Sequence, residues 1–169
     1  MVYDVMKYHR RSIRLKGYDY SRPGAYFVTI CLYGREPYLE MPAVRAIAEE
    51  VWNALPQRFP TIALDECVVM PDHVHFILWL RPDIQHRPTL GQIVCVYKSL
   101  TARAALAHLR TLGDICGNHF WQRDYYDHII TRKTELHEIR QYIRNNPYKQ
   151  GGEVSTRYEG GANTRPKSK

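Results

Sequence analysis

The chain has 169 residues, enough for one domain that buries a hydrophobic core without disulfide or metal staples. Its net charge of +7 and its thirteen tyrosines favour polyanionic partners, nucleic acid ahead of an anionic membrane, because cations displace counterions from phosphate and aromatic faces stack on unpaired bases. No apolar run approaches a membrane span, the N-terminus is too polar for a signal peptide, and Cys31, Cys67, Cys95 and Cys116 have neither paired nor zinc-finger spacing; a membrane protein and a disulfide scaffold are excluded, and a soluble, cytoplasmic protein with reduced thiols is expected.

Residues 1–23 carry Lys7, Arg10, Arg11, Arg14, Lys16 and Arg22 with little apolar periodicity, and read as a basic arm for a phosphate backbone or, equally, as a solvated tail. Residues 24–150 read as the single domain. Within it, Ala25 to Tyr33 is rich in β-branched and aromatic residues and is expected as the first strand. Pro42 suits the first turn of a helix, whose apolar positions Val44, Ile47, Ala48, Val51 and Leu55 recur at helical spacing until Pro56 is expected to stop it. Thr61 to Met70 is the second strand, Pro71-Asp72 a tight turn, and His73 to Leu80 the returning third strand of an antiparallel hairpin. A second helix runs from Leu90 toward Gly113. Residues 117–130 end in a fourth strand polar enough to be a sheet edge. Thr134 is expected to cap a third helix with Leu136, Ile139 and Ile143 as its apolar stripe, ended by Pro147. Residues 151–169 are Gly-, Ser-, Lys- and Arg-rich and are expected to be a flexible polar tail.

The order strand, helix, strand, strand, helix, strand, helix predicts an α+β fold. It is the ferredoxin-like βαββαβ arrangement, an antiparallel four-stranded sheet with two helices on one face and the last helix left for the other.

Strand alternation puts His73, His75, Ile77 and Trp79 on one face and Val74, Phe76, Leu78 and Leu80 on the other. The apolar set wants the core. The two imidazoles then sit about 7 Å apart along the strand, close enough to share one metal ion, although a chain with eight histidines also reaches this spacing by chance. On the third helix, Tyr142 and Asn146 are four apart and flank the apolar stripe. Should that helix dock on the histidine face, His73, His75 and Asn146 supply two nitrogens and an oxygen to a divalent ion, and Tyr142 a phenol to attack phosphorus. The plain alternative is packing plus a C-terminal Asn cap. Lys98 and Arg103 are candidate phosphate contacts or simply a solvated helix face, Tyr125 and Tyr126 read as stacking or packing residues, and His128 is left out of the site.

Three motifs, Met70-Pro-Asp-His-Val-His-Phe76, Phe120-Trp-Gln-Arg-Asp-Tyr-Tyr-Asp-His-Ile-Ile130 and Arg140-Gln-Tyr-Ile-Arg-Asn-Asn-Pro147, resemble the single-tyrosine HUH transposases, especially the REP-associated tyrosine transposases. The likeness runs from about Gly17 through Pro147. It implies that His73 and His75 are the HUH pair, that Asn146 completes a Mg²⁺ or Mn²⁺ site, and that Tyr142 is the nucleophile. It also implies strand cutting and rejoining through a 5′-phosphotyrosine. The implied partner is single-stranded DNA bearing a hairpin, bound by a monomer or by a homodimer with exchanged helices. Asp72 departs from the more usual Asn of that family, and the short tail departs from relatives with a longer C-terminal segment. The rival reading is a non-catalytic, domesticated nucleic-acid-binding protein of the same fold; a two-histidine phosphodiesterase would need a second histidine motif that the chain lacks.

Overall fold

A computed structural model describes residues 15, 17–82, 88–113, 117 and 119–146. Arg10, Arg11, Arg14, Pro147 and the tail 151–169 lie outside the described residues. The elements run β1 (Gly24–Cys31), α1 (Pro42–Arg58), β2 (Ile62–Val69), β3 (His73–Leu80), α2 (Leu90–Thr111), β4 (Tyr126–Ile130) and α3 (Lys133–Asn145), with 3₁₀ turns at Tyr33–Arg35 and Tyr38–Glu40. The four strands form one antiparallel sheet in the order β2-β3-β1-β4, the ferredoxin-like topology expected from the element order. β4, the polar strand, is an edge. No helix among the described residues is long and apolar enough to cross a membrane.

Alternation along β3 divides the protein into two cores. Val74, Phe76, Leu78 and Leu80 pack with Val44, Trp52 and Leu55 of α1 and Leu90, Ile93 and Tyr97 of α2. Ile77 and Trp79 face the other way, against Ile139 and Ile143 of α3 and Ala25, Phe27 and Ile130 of the neighbouring strands. This second cluster is much the smaller, so α3 is held by less apolar burial than α1 or α2.

Several boundaries differ from the sequence expectation. Strand β1 stops at Cys31 because the chain leaves the ladder there: Leu32 makes only an isolated bridge with Trp121, and Gly34 and Arg35 take positive φ. Helix α1 passes through Pro56 to Arg58; a proline this close to the end removes one backbone bond without ending the helix, and Phe59 N–H still donates to the Leu55 carbonyl. Only residues 126–130 of the fourth segment are strand. The stretch before them is a loop fastened by Lys98, whose ammonium donates to the carbonyls of Gln122 and Arg123 (2.7 and 2.8 Å), and by Trp121, whose indole donates to Thr101 Oγ1 (2.8 Å). Thr134 is not the cap of α3; Arg132 is, without a side-chain bond, and Glu135 in the first turn accepts the Thr131 N–H and meets His128 Nε2. Within the segment expected as a basic arm, Tyr20 is buried in the main core and its carbonyl accepts the Leu90 N–H.

Phe76 is fully buried, its ring 4.6 Å from that of Trp52 and 5.9 Å from that of Tyr97, between the two helices of the main core. Phe76→Ala is expected to cost about 3–5 kcal/mol in urea unfolding, whereas Tyr33→Ala, at an exposed site, is expected to cost no more than about 0.5 kcal/mol.

Candidate active site

The register between β1 and β3 places Thr29 opposite His75 and Cys31 opposite His73. Thr29 Oγ1 lies 2.8 Å from His75 Nδ1, and His73 Nδ1 lies 2.5 Å from Asp72 Oδ1. Each imidazole is therefore held by its Nδ1, and the two Nε2 atoms turn toward each other, 3.0 Å apart. Asp72 is itself held by Arg35, whose Nε donates to Oδ2 at 2.7 Å. Arg35 is the one non-glycine residue with positive φ among the described residues (61°), a backbone strain that this guanidinium contact accompanies.

Helix α3 lies across this face. The Tyr142 hydroxyl stands 3.4 Å from His75 Nε2, and its ring meets His75 and Phe27 edge-on, with centroids 5.4 and 6.2 Å away. Phe27 stacks on the His75 ring from the sheet side. His75 is thereby buried. Burial, then the positive charge of His73 and of Arg35, push its pKa from 6.5 down to about 3, so its ring is neutral in ordinary buffers and keeps a lone pair on one nitrogen. Asn146 follows Tyr142 by one turn at the C-cap of α3, half-buried, and its amide nitrogen has no hydrogen-bond partner.

The two imidazoles fit a divalent cation. Two nitrogens sharing one ion at about 2.1 Å and at a right angle would lie about 3 Å apart, the separation of the two Nε2 atoms. The set expected from the sequence is two histidines and an asparagine; among the described residues no three His, Cys, Asp or Glu side chains form a metal-holding group.

The structure thus brings His73, His75 and Tyr142 together. It does not bring Lys98 or Arg103 to them: both are on α2, across the sheet, Lys98 holding the loop carbonyls and Arg103 on an exposed face. Of the two neighbouring tyrosines, Tyr126 points to the α3 face, edge-on to Phe27, while Tyr125 packs against the main core. The cavity of about 430 Å³ lined by Cys95, Lys98, His119, Trp121 and Tyr125 is also separate from the histidine pair. Sequence reasoning missed Thr29, Asp72 and Arg35. Asp72, next to His73 in a turn, carried a visible signal, whereas Thr29 becomes a partner of His75 only through strand register.

Residues 25–146 match the family model described as Transposase IS200 like. A protein of Haemophilus influenzae is 30% identical over 171 residues, covering 86% of this chain and 92% of its own length. Two solved structures share the fold. One is a REP-associated tyrosine transposase bound to a REP hairpin, with a TM-score of 0.60 and 20% identity over 83% of this chain and 74% of that one. The other is a Deinococcus radiodurans protein assigned to the transposases, with a TM-score of 0.53 and 22% identity over 78% of this chain and 95% of that one.

The depressed pKa of His75 has a thermodynamic sign. Below about pH 6.5 the unfolded chain binds a proton that the folded chain refuses, so the stability present above that value is lost as pH falls toward about 3. In metal-free buffer, the urea midpoint of the wild type is expected to fall more steeply between about pH 7 and about pH 5 than that of His75→Gln. Equal slopes would contradict a buried neutral ring.

Proposed function

This chain belongs to the IS200-like transposase family, and from that premise we propose that it cuts and rejoins single-stranded DNA with Tyr142 as nucleophile. The observation that carries the reading is the phenol of Tyr142 standing 3.4 Å from His75 Nε2, beside a pair of imidazoles whose outer nitrogens converge. Tyr142 Oη attacks the phosphorus of the scissile phosphodiester, the bond to the 3′ oxygen breaks, and the departing strand takes a proton as a 3′-hydroxyl. The other strand is left as a 5′-phosphotyrosine. Because that link retains the phosphoester energy, a second 3′-hydroxyl reverses the step and joins strands without ATP.

His73, His75 and Asn146 would hold a Mg²⁺ or Mn²⁺ ion. When bound, that ion supplies Lewis-acid polarisation of a non-bridging phosphate oxygen, worth several kcal/mol of charge stabilisation. The chain's own residues do the rest. Asp72 and Thr29 fix both imidazoles by Nδ1 and leave both Nε2 atoms free to ligate, and the burial of His75 keeps its ring unprotonated. Phe27 and the buried side of α3 exclude water from one flank of the phenol.

The substrate we assign is a hairpin-bearing single strand, by analogy with the REP hairpin bound by the relative of known structure. The net charge of +7, with Arg10, Arg11 and Arg14 in the N-terminal segment and Arg103 on α2, supports phosphate contacts outside the cutting site. Lys98 fits this role less well, since its ammonium already serves two carbonyls. Because Tyr142 of α3 meets its own chain's His75, the phenol and the histidine pair come from one copy, which favours cutting by a monomer.

The test is a labelled hairpin-bearing strand incubated with Mn²⁺ and resolved on a denaturing gel. Wild type is expected to give a covalent protein–DNA band that chelation abolishes, and Tyr142→Phe to give none while still binding the strand. A band that persists in Tyr142→Phe would move the nucleophile elsewhere. Binding without a band in either protein would leave the non-catalytic DNA-binding reading.

A further inference from the structure

Helix α3 has its two buried residues, Ile139 and Ile143, one turn apart on a single line. Two points on a line fix where a helix lies but leave it free to roll. At about 100° per residue, Arg140 and Arg144 stand on one flank of that line, and Tyr142 and Asn146 on the other. Whatever grips the arginine flank therefore sets the angle at which the phenol is presented.

The grip comes from an irregularity in β2. Leu64 pairs with Leu78 and Cys67 with Phe76, so two residues of β2, Asp65 and Glu66, stand opposite Ile77 alone. In a regular strand these neighbours would face opposite ways; the bulge lets both reach α3. Arg140 donates to both oxygens of Asp65, Nε at 2.9 Å and Nη2 at 2.6 Å, while the Trp79 indole donates to the same carboxylate at 2.7 Å. Arg144 pairs with Glu66. The two pairs are not equivalent. The Asp65 side chain is 9% exposed, and Arg140 grips it through a planar two-point fork; Arg144 is 61% exposed, in a setting where ion pairs contribute little.

We infer that Asp65 and Arg140 are the positioning residues of this site: their forked pair, seated on the β2 bulge and braced by Trp79, sets the roll of α3 and with it the reach of the Tyr142 phenol to the histidine pair. The catalytic consequence rests on the strand-cutting reading above; the docking consequence does not. Neither residue touches DNA in this scheme. Their loss should slow the chemical step and leave DNA affinity alone.

The experiment has two arms on the full chain. In the first, hydrogen exchange is followed without DNA: in Asp65→Asn and Arg140→Gln the amides of 139–146 exchange faster, those of β1 and β3 are unchanged, and Glu66→Gln resembles wild type. In the second, single-turnover adduct formation at saturating hairpin strand falls at least about tenfold in Asp65→Asn and Arg140→Gln, with Kd within about twofold, and the double variant is no slower than the slower single. Arg140→Lys, which keeps the charge but not the fork, falls between. Unchanged exchange in α3, losses that multiply in the double variant, or loosening of β1 and β3 along with α3 would each overturn the inference. Should wild type form no adduct, the strand-cutting reading fails, and the exchange arm still decides the docking claim.

Discussion

One helix laid against one face of the sheet decides what this protein can do. The main core, built from the outer face of β3 with α1 and α2, would fold much the same without α3, since its buried residues all come from other elements. The inner face is different. Its six buried residues make a thin cluster, and α3 contributes two of them. A helix held by so little apolar surface depends on directional contacts, and those here are one arginine–carboxylate fork on the strand side and aromatic edges on the phenol side.

The histidine pair takes its Nδ1 partners from the sheet and its turn, not from a helix. His75 is paired across the ladder with Thr29, and His73 leaves the turn beside Asp72, so both rings are held from the same side and their outer nitrogens meet. An Asp at position 72 gives His73 a full carboxylate as its partner, and Arg35 neutralises that carboxylate from behind. A ring held this way is a stronger electron donor than one hydrogen-bonded to a neutral amide.

Much of this was legible in the sequence because it rests on local periodicity. The two-residue alternation of His73 to Leu80 foretold both faces of β3, and the three- and four-residue steps of Leu136, Ile139 and Ile143 foretold the stripe of α3 and the flank on which Tyr142 stands. What escaped depends on pairing between distant segments. Thr29 meets His75 only through strand register, and Asp65 and Glu66 look like an ordinary strand interior until a bulge turns both toward one helix. The cap of α3 was misassigned for a related reason: Thr134 is a good capping residue, but Glu135 reaches back to Thr131 and His128, and the helix starts two residues earlier than such a cap would give. The fourth strand starts later than expected because Lys98 of α2 holds the carbonyls of Gln122 and Arg123 and keeps the chain before Tyr126 out of the ladder.

The central claim is that the phenol on α3 is the atom that takes the DNA. The most direct measurement is to digest the wild-type adduct with trypsin and nuclease and find the nucleotide by mass spectrometry. Cleavage after Arg140 and Arg144 isolates Gln141-Tyr142-Ile143-Arg144. The account predicts the phosphonucleotide on that peptide alone. A nucleotide on the peptide holding Tyr125 and Tyr126 would contradict it.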